Sequence, residues 1–123
     1  MGLMKNFGEK QAIKLIKHYS GQDIVPNFIA TCEADISPNW RGVVVLDDHS
    51  LWLVNRLGAR GIEISNIAPF ESNGQFSAGT RGYPGYHFGF SFVNGPGSFI
   101  VYPITEDAGR EMELFLKRFE QST

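Results

Sequence analysis

Residues 43–46 are an unbroken apolar run, three valines and a leucine. The polar group Asp47, Asp48, His49 and Ser50 interrupts the run before residues 51–54 resume it. Two short apolar, partly β-branched segments joined by turn formers specify an antiparallel hairpin, because the turn reverses the chain while its flanks pair. The longer stretch 41–72 reads as three successive strands with no helix-length period between them, and the rest of the chain is expected to close around it.

Residues 7–20 place Ala12, Ile13, Ile16 and Tyr19 on one side and Lys10, Lys14 and Lys17 on another, the pattern of a short amphipathic helix with Gly21 as its stop. Pro26 keeps the following connector extended, and residues 28–35 read as a first strand that gives way at Ser37, Pro38 and Asn39. The hairpin strands are expected at 42–46 and 51–55. Residues 57–61 then turn the chain into a strand at Ile62, Glu63 and Ile64, and another strand covers 68–72 before Asn73 and Gly74. Glycines 79, 82 and 85 with Pro84 make 75–85 the most loop-like stretch. Tyr86, Phe88, Phe90 and Phe92 alternate with small or polar residues, so their rings share one face of a strand that must look into the core. After the loop 94–97 a strand returns over 98–102. Thr105 then caps a closing helix over 105–121, whose Ala108, Met112, Phe115, Leu116 and Phe119 recur at helical spacing, with Gly109 a weak point within it.

The expected fold class is therefore α+β and mainly β: a strongly bent antiparallel sheet of about seven strands, an N-terminal helix and a C-terminal capping helix, in one domain over residues 1–123. With 123 residues, roughly 65 to 70% of the unfolded surface can be buried, so a core forms without staples. Sixteen aromatic residues supply bulk for that core, and 14 glycines with six prolines supply its turns. A lone Cys32 cannot close an internal disulfide, and no stretch approaches the roughly 18 apolar residues of a membrane span, so a cytoplasmic location is the expectation. The net charge is −2. Residues 1–20 carry a balance of +3, leaving −5 for the remainder, which argues against nucleic acid as a partner.

The order of elements resembles the pleckstrin-homology-like domains of bacteria, and the closest likeness is GVVVLDDHSLWLV at 42–54. There Leu46, Asp48 and Leu51 match the family's turn, while Asp47, His49 and Ser50 depart from it. The segment IEISNIAPFES is similar to the family's next one, in which a strand reaches an Ile that introduces its successor. The resemblance implies a bent sheet closed into a barrel-like sandwich with the helix at 105–121 over one open end. The family's lipid-binding relatives place several Lys and Arg around the first hairpin, where this chain offers only Arg41, so that activity is not carried over.

Asp47, Asp48, His49 and Ser50 are the residue types of a hydrolytic triad, yet consecutive residues in a tight turn cannot set nucleophile, base and acid in line. They are read as turn formers. His18, His49, His87 and Cys32 lack metal-ligand spacing, so no metal and no cofactor is expected. Cys32 is read as a small buried apolar residue. Trp40, Arg41 and Trp52 are the candidate partner-binding residues, and Lys10, Lys14 and Lys17 the candidate membrane-surface residues. The leading expectation is a non-enzymatic binding or scaffolding module for a protein or peptide, or for a second copy through a sheet edge. The lysines are expected to be solvated, with the apolar side of the helix packed on the sheet. Two alternatives stand beside it: an enzyme whose pocket draws on distant residues such as Asp48, His87 and Arg81, and a lipid-binding module at the membrane surface.

Overall fold

The computed structural model of the chain describes residues 8–36, 40–70 and 87–121, with residues 70 and 118–121 described by their backbone alone. Helix α1 (Glu9–Ser20) is followed by β1 (Phe28–Ala34), β2 (Trp40–Leu46), β3 (Ser50–Asn55) and β4 (Gly58–Glu63). A 3-10 turn at Ile64–Asn66 leads to β5 (Ile67–Phe70), β6 (Phe88–Phe92), β7 (Ser98–Pro103) and helix α2 (Glu106–Gln121). The expected turns at 37–39 and 73–74, the glycine-rich stretch 79–85, Tyr86 and the side chain of Phe119 lie outside the described residues.

All seven strands form one antiparallel sheet in the order β4-β3-β2-β1-β7-β6-β5. In a flat sheet β3 and β5 would stand roughly 24 Å apart, five strand spacings. Yet Leu51 of β3 and Ile67 and Pro69 of β5 line one cavity of about 10 Å³, so the sheet bends back on itself. Phe115 and Leu116 of α2 close that cavity, and Ala108 and Met112 are buried in the same core as Phe28, Leu46, Phe90 and Val101. The C-terminal helix thus fills the inside of the bend, as its apolar stripe requires. Its cap is Thr105, whose Oγ1 accepts a hydrogen bond from the Ala108 N–H at 3.1 Å. Gly109 is buried within it, and the helix continues through.

The outer face of the first half of the sheet carries a second core. Ala12 and Ile16 of α1 are fully buried against Val43, Val45, Trp52 and Val54, the residues of β2 and β3 that point away from α2. The apolar side of α1 is therefore packed on the sheet while Lys10, Lys14 and Lys17 remain exposed. Gly21 ends the helix at φ 75°, and its N–H reaches the Lys17 carbonyl at 2.8 Å. Tyr19, expected on the packed side, is instead 56% exposed. At the last turn its ring meets His18 edge-on and lies near Gly58.

One boundary differs from expectation by more than two residues. Residues 58–61, read as a turn, are the first part of β4, and Ile64 belongs to the 3-10 turn after it. Their glycines hid the strand, because Gly61 is there to accept a ring. A Cβ at Gly61 would stand 2.6 Å from the Trp52 side chain, its cross-strand partner.

Candidate functional site

Asp47 does the work of a turn residue. Its Oδ1 accepts the N–H groups of His49 and Ser50, both at 2.7 Å, and its Oδ2 lies 3.4 Å from the Trp52 indole nitrogen. Asp48 accepts a hydrogen bond from the Asn27 side chain at 2.7 Å, which ties the hairpin to the start of β1. His87 sits before Phe88, which pairs with Val101 beside Ala34 at the far end of β1. Asp48 thus belongs to the β2–β3 turn and His87 to the residue before β6, while Arg81, the third residue of the enzyme alternative, lies outside the described residues.

Trp52 is 6% exposed and lies beneath α1. Its alternation with Leu51 and Leu53 put one face on the outside of the sheet, and the helix then covered that face. This removes Trp52 from the candidate partner surface. Trp40 is half-buried against the inner core, its ring over Gly42, where a Cβ would stand 2.9 Å from it. Only Arg41 of the three is exposed, on the outer face. Of the lysines, Lys17 is held by Asp23 at 2.9 Å, while Lys10 and Lys14 project from α1.

Cys32 is fully buried, and that burial pushes its thiol well above the ordinary range, which leaves it protonated and unreactive at neutral pH. Tyr102 is pushed up as well, by burial first and by the Asp35 carboxylate second. Register places Arg41, Glu33 and Tyr102 side by side on the outer face of β2, β1 and β7, with Glu33 only 8% exposed. Among the described residues no three His, Cys, Asp or Glu side chains converge to hold a metal.

What does converge is a groove of about 460 Å³ on the outer face, past the end of α1. Thr31 and Val43, a cross-strand pair, form its floor, with the exposed Arg41 beside them. Asn55, Arg56 and Leu57 of the β3–β4 turn form the opposite wall. The Asn55 side chain accepts the Leu57 N–H at 2.9 Å, which fixes this turn and presents Leu57 at 90% exposure. Sequence reasoning found Arg41 and missed Thr31, Asn55, Arg56 and Leu57. The available signal was Leu57 itself, an apolar side chain between an arginine and a glycine in a turn.

No helix among the described residues is long and apolar enough to cross a membrane. No family model, curated protein or solved structure matches the chain.

Proposed function

We propose that the chain is a non-enzymatic binding module of the bacterial pleckstrin-homology-like type, acting in the cytoplasm and taking a protein or peptide segment in the groove beside α1. The observation that carries this reading is the groove itself: open, walled by a fixed turn, and bordered by an arginine on each side. A concave site with a few placed polar groups on a rigid sheet suits recognition. The family assignment draws support from the bent seven-stranded sheet and the helix inside it, which are what the resemblance at 42–54 implies.

Peptide display against the purified chain, followed by amide NMR with the enriched peptides, tests the reading. Shifts confined to Thr31, residues 41–43 and residues 55–57 are expected. Failure to enrich any peptide, or shifts confined to other surfaces, would overturn it.

A second reading, self-association, is favoured by β4. It is an edge of the sheet, six residues long and without proline, whereas β5 at the other edge is four residues long and carries Pro69. Sedimentation over a hundredfold concentration range checks it. A mass fixed at 13.7 kDa throughout would exclude pairing through that edge in this range.

A further inference from the structure

We propose that Asn94 is a site of spontaneous covalent modification, at which the Gly95 backbone nitrogen attacks the Asn94 side chain and converts it through a succinimide to isoaspartate and aspartate. The site is independent of whatever occupies the groove. Residues 93–96 form the loop between β6 and β7, closed by the Phe92 N–H on the Gly97 carbonyl at 3.1 Å. Asn94 and Gly95 are both exposed there, beside a surface hollow of about 250 Å³ lined by Asn66, Phe92, Asn94, Gly95 and Pro96. Solvent therefore reaches the reacting atoms.

Three features set this residue apart. Among the described asparagines, Asn27, Asn55 and Asn66 precede Phe28, Arg56 and Ile67, and only Asn94 precedes a glycine. A side chain on the following residue would crowd its nitrogen as it closes on Cγ, and glycine brings none. Nothing stands within 4 Å of the place that a Gly95 Cβ would occupy. The nucleophile is also available: among the described residues the Gly95 N–H has no hydrogen-bond partner, so no bond need break before the nitrogen gives up its proton. Finally, the Asn94 amide is loosely held. Its Nδ2 donates to Asn66 Oδ1 at 3.5 Å, whereas the Asn27 amide donates to Asp48 at 2.7 Å and Asn55 accepts the Leu57 N–H at 2.9 Å.

A solvent base takes the proton of the Gly95 nitrogen, which bonds to Cγ of Asn94; the Cγ–Nδ2 bond breaks and ammonia leaves. Water then opens the ring. Cleavage of the new N–Cγ bond gives aspartate, and cleavage between the nitrogen and the Asn94 backbone carbonyl gives isoaspartate, whose main chain runs through Cβ and Cγ. One water is consumed, one ammonia is released, and nothing is oxidised or reduced. Either product adds one negative charge to a chain of net charge −2 and has no side-chain N–H to give to Asn66. Isoaspartate also lengthens the loop backbone by one methylene between the paired residues Phe92 and Gly97.

The test incubates the full chain in ¹⁸O-labelled water at mildly alkaline pH, returns it to ordinary water and maps it by tryptic digestion and mass spectrometry. Fragment 82–110 holds Asn94 as its one asparagine, while Asn73, which also precedes a glycine, falls in fragment 61–81 with Asn66. Fragment 82–110 is expected to gain one ¹⁸O and to separate into isoaspartyl and aspartyl forms. Its rate should lie within about tenfold of that of the free peptide SFVNGPGS and should rise with pH. An unfolded fraction of about 10⁻³ or less could not sustain such a rate. Gly95→Ala should slow the conversion by at least about tenfold. Open space surrounds that position and its backbone is not left-handed, so the thermal melt of the variant should match the parent's. Should the variant melt early, the isoaspartate and the rate in the parent chain decide by themselves.

An intact fragment 82–110, over a time in which the free peptide converts, would overturn the proposal. Aspartate without isoaspartate would mean direct hydrolysis of the amide and would overturn the ring closure, as would a rate indifferent to Gly95→Ala in a variant that melts like the parent.

Discussion

In β2 burial runs unbroken from Gly42 to Leu46, whereas in β6 the rings of Phe88, Phe90 and Phe92 pack on the inner core and alternate with Gly89 and Ser91. The strands belong to one sheet and differ in what covers them. β2 and β3 have the inner core on one face and α1 on the other, so both sets of side chains are apolar. Continuous apolar runs are the usual mark of parallel strands between two helical layers. Here an antiparallel hairpin carries the same mark for the same reason, and only its turn at Asp47 reveals its direction. The outward positions of β6 carry a glycine and a serine, and α1 packs instead on β2, β3 and β4.

The strongest way to break this comparison is to remove the outer layer. Trp52→Ala should cost about 3 to 5 kcal/mol in urea unfolding, as much as Phe90→Ala does on the inner face. The loss should come with faster amide exchange over α1, which Phe90→Ala spares until global unfolding. A cost below about 1 kcal/mol for Trp52→Ala would mean that α1 adds no real second core.

A smaller effect is expected from Gly61→Ala. The added methyl meets a ring held under α1, and overpacking of this kind costs about 1 to 3 kcal/mol. The second-site change Trp52→Leu should relieve that clash, so a double-mutant cycle with coupling near zero would dissociate glycine from ring.

β1 joins the two halves, and its Cys32 gives a pH-dependent measure of the shared core. The folded state resists ionising this thiol and the Tyr102 hydroxyl, while the unfolded chain ionises them near their ordinary values of 9.0 and 10.0. Protons are then bound more by the folded than by the unfolded state, so stability is unaffected below pH 9 and falls above it. The slope from Cys32 is on the order of 1 kcal/mol per pH unit, and it should vanish in Cys32→Ala. A flat profile between pH 9 and 10.5 in the parent chain would contradict the burial of this thiol.

The smallest effect belongs to the outward side of β6. Ser91→Ala removes one long hydrogen bond, 3.4 Å to the Ala68 carbonyl, and should change stability by less than about 1 kcal/mol. The same truncation of an outward valine in the other half, Val45→Ala, removes methyl groups from a fully buried site and should cost clearly more.

These contrasts mark how far the sequence could be read. Period and punctuation determined the local structure: the Asp47 turn, the strands around it, the aromatic face of β6, the Gly21 stop and the Thr105 cap all follow from neighbours within a few residues. They are legible because turn chemistry and side-chain period are short-range. Tertiary structure alone decided which faces were covered. Alternation around Trp52 marked two faces correctly, but nothing within the hairpin says that a helix thirty residues upstream lies over one of them. It likewise decided that Gly58 to Gly61 extend as a strand, since the glycine there answers a ring on its neighbour. The groove has the same origin. Arg41 and Arg56 are fifteen residues apart, and the β2–β3 pairing brings them to the same groove. Proximity of that kind is set by register and bend, which no local pattern of residues records.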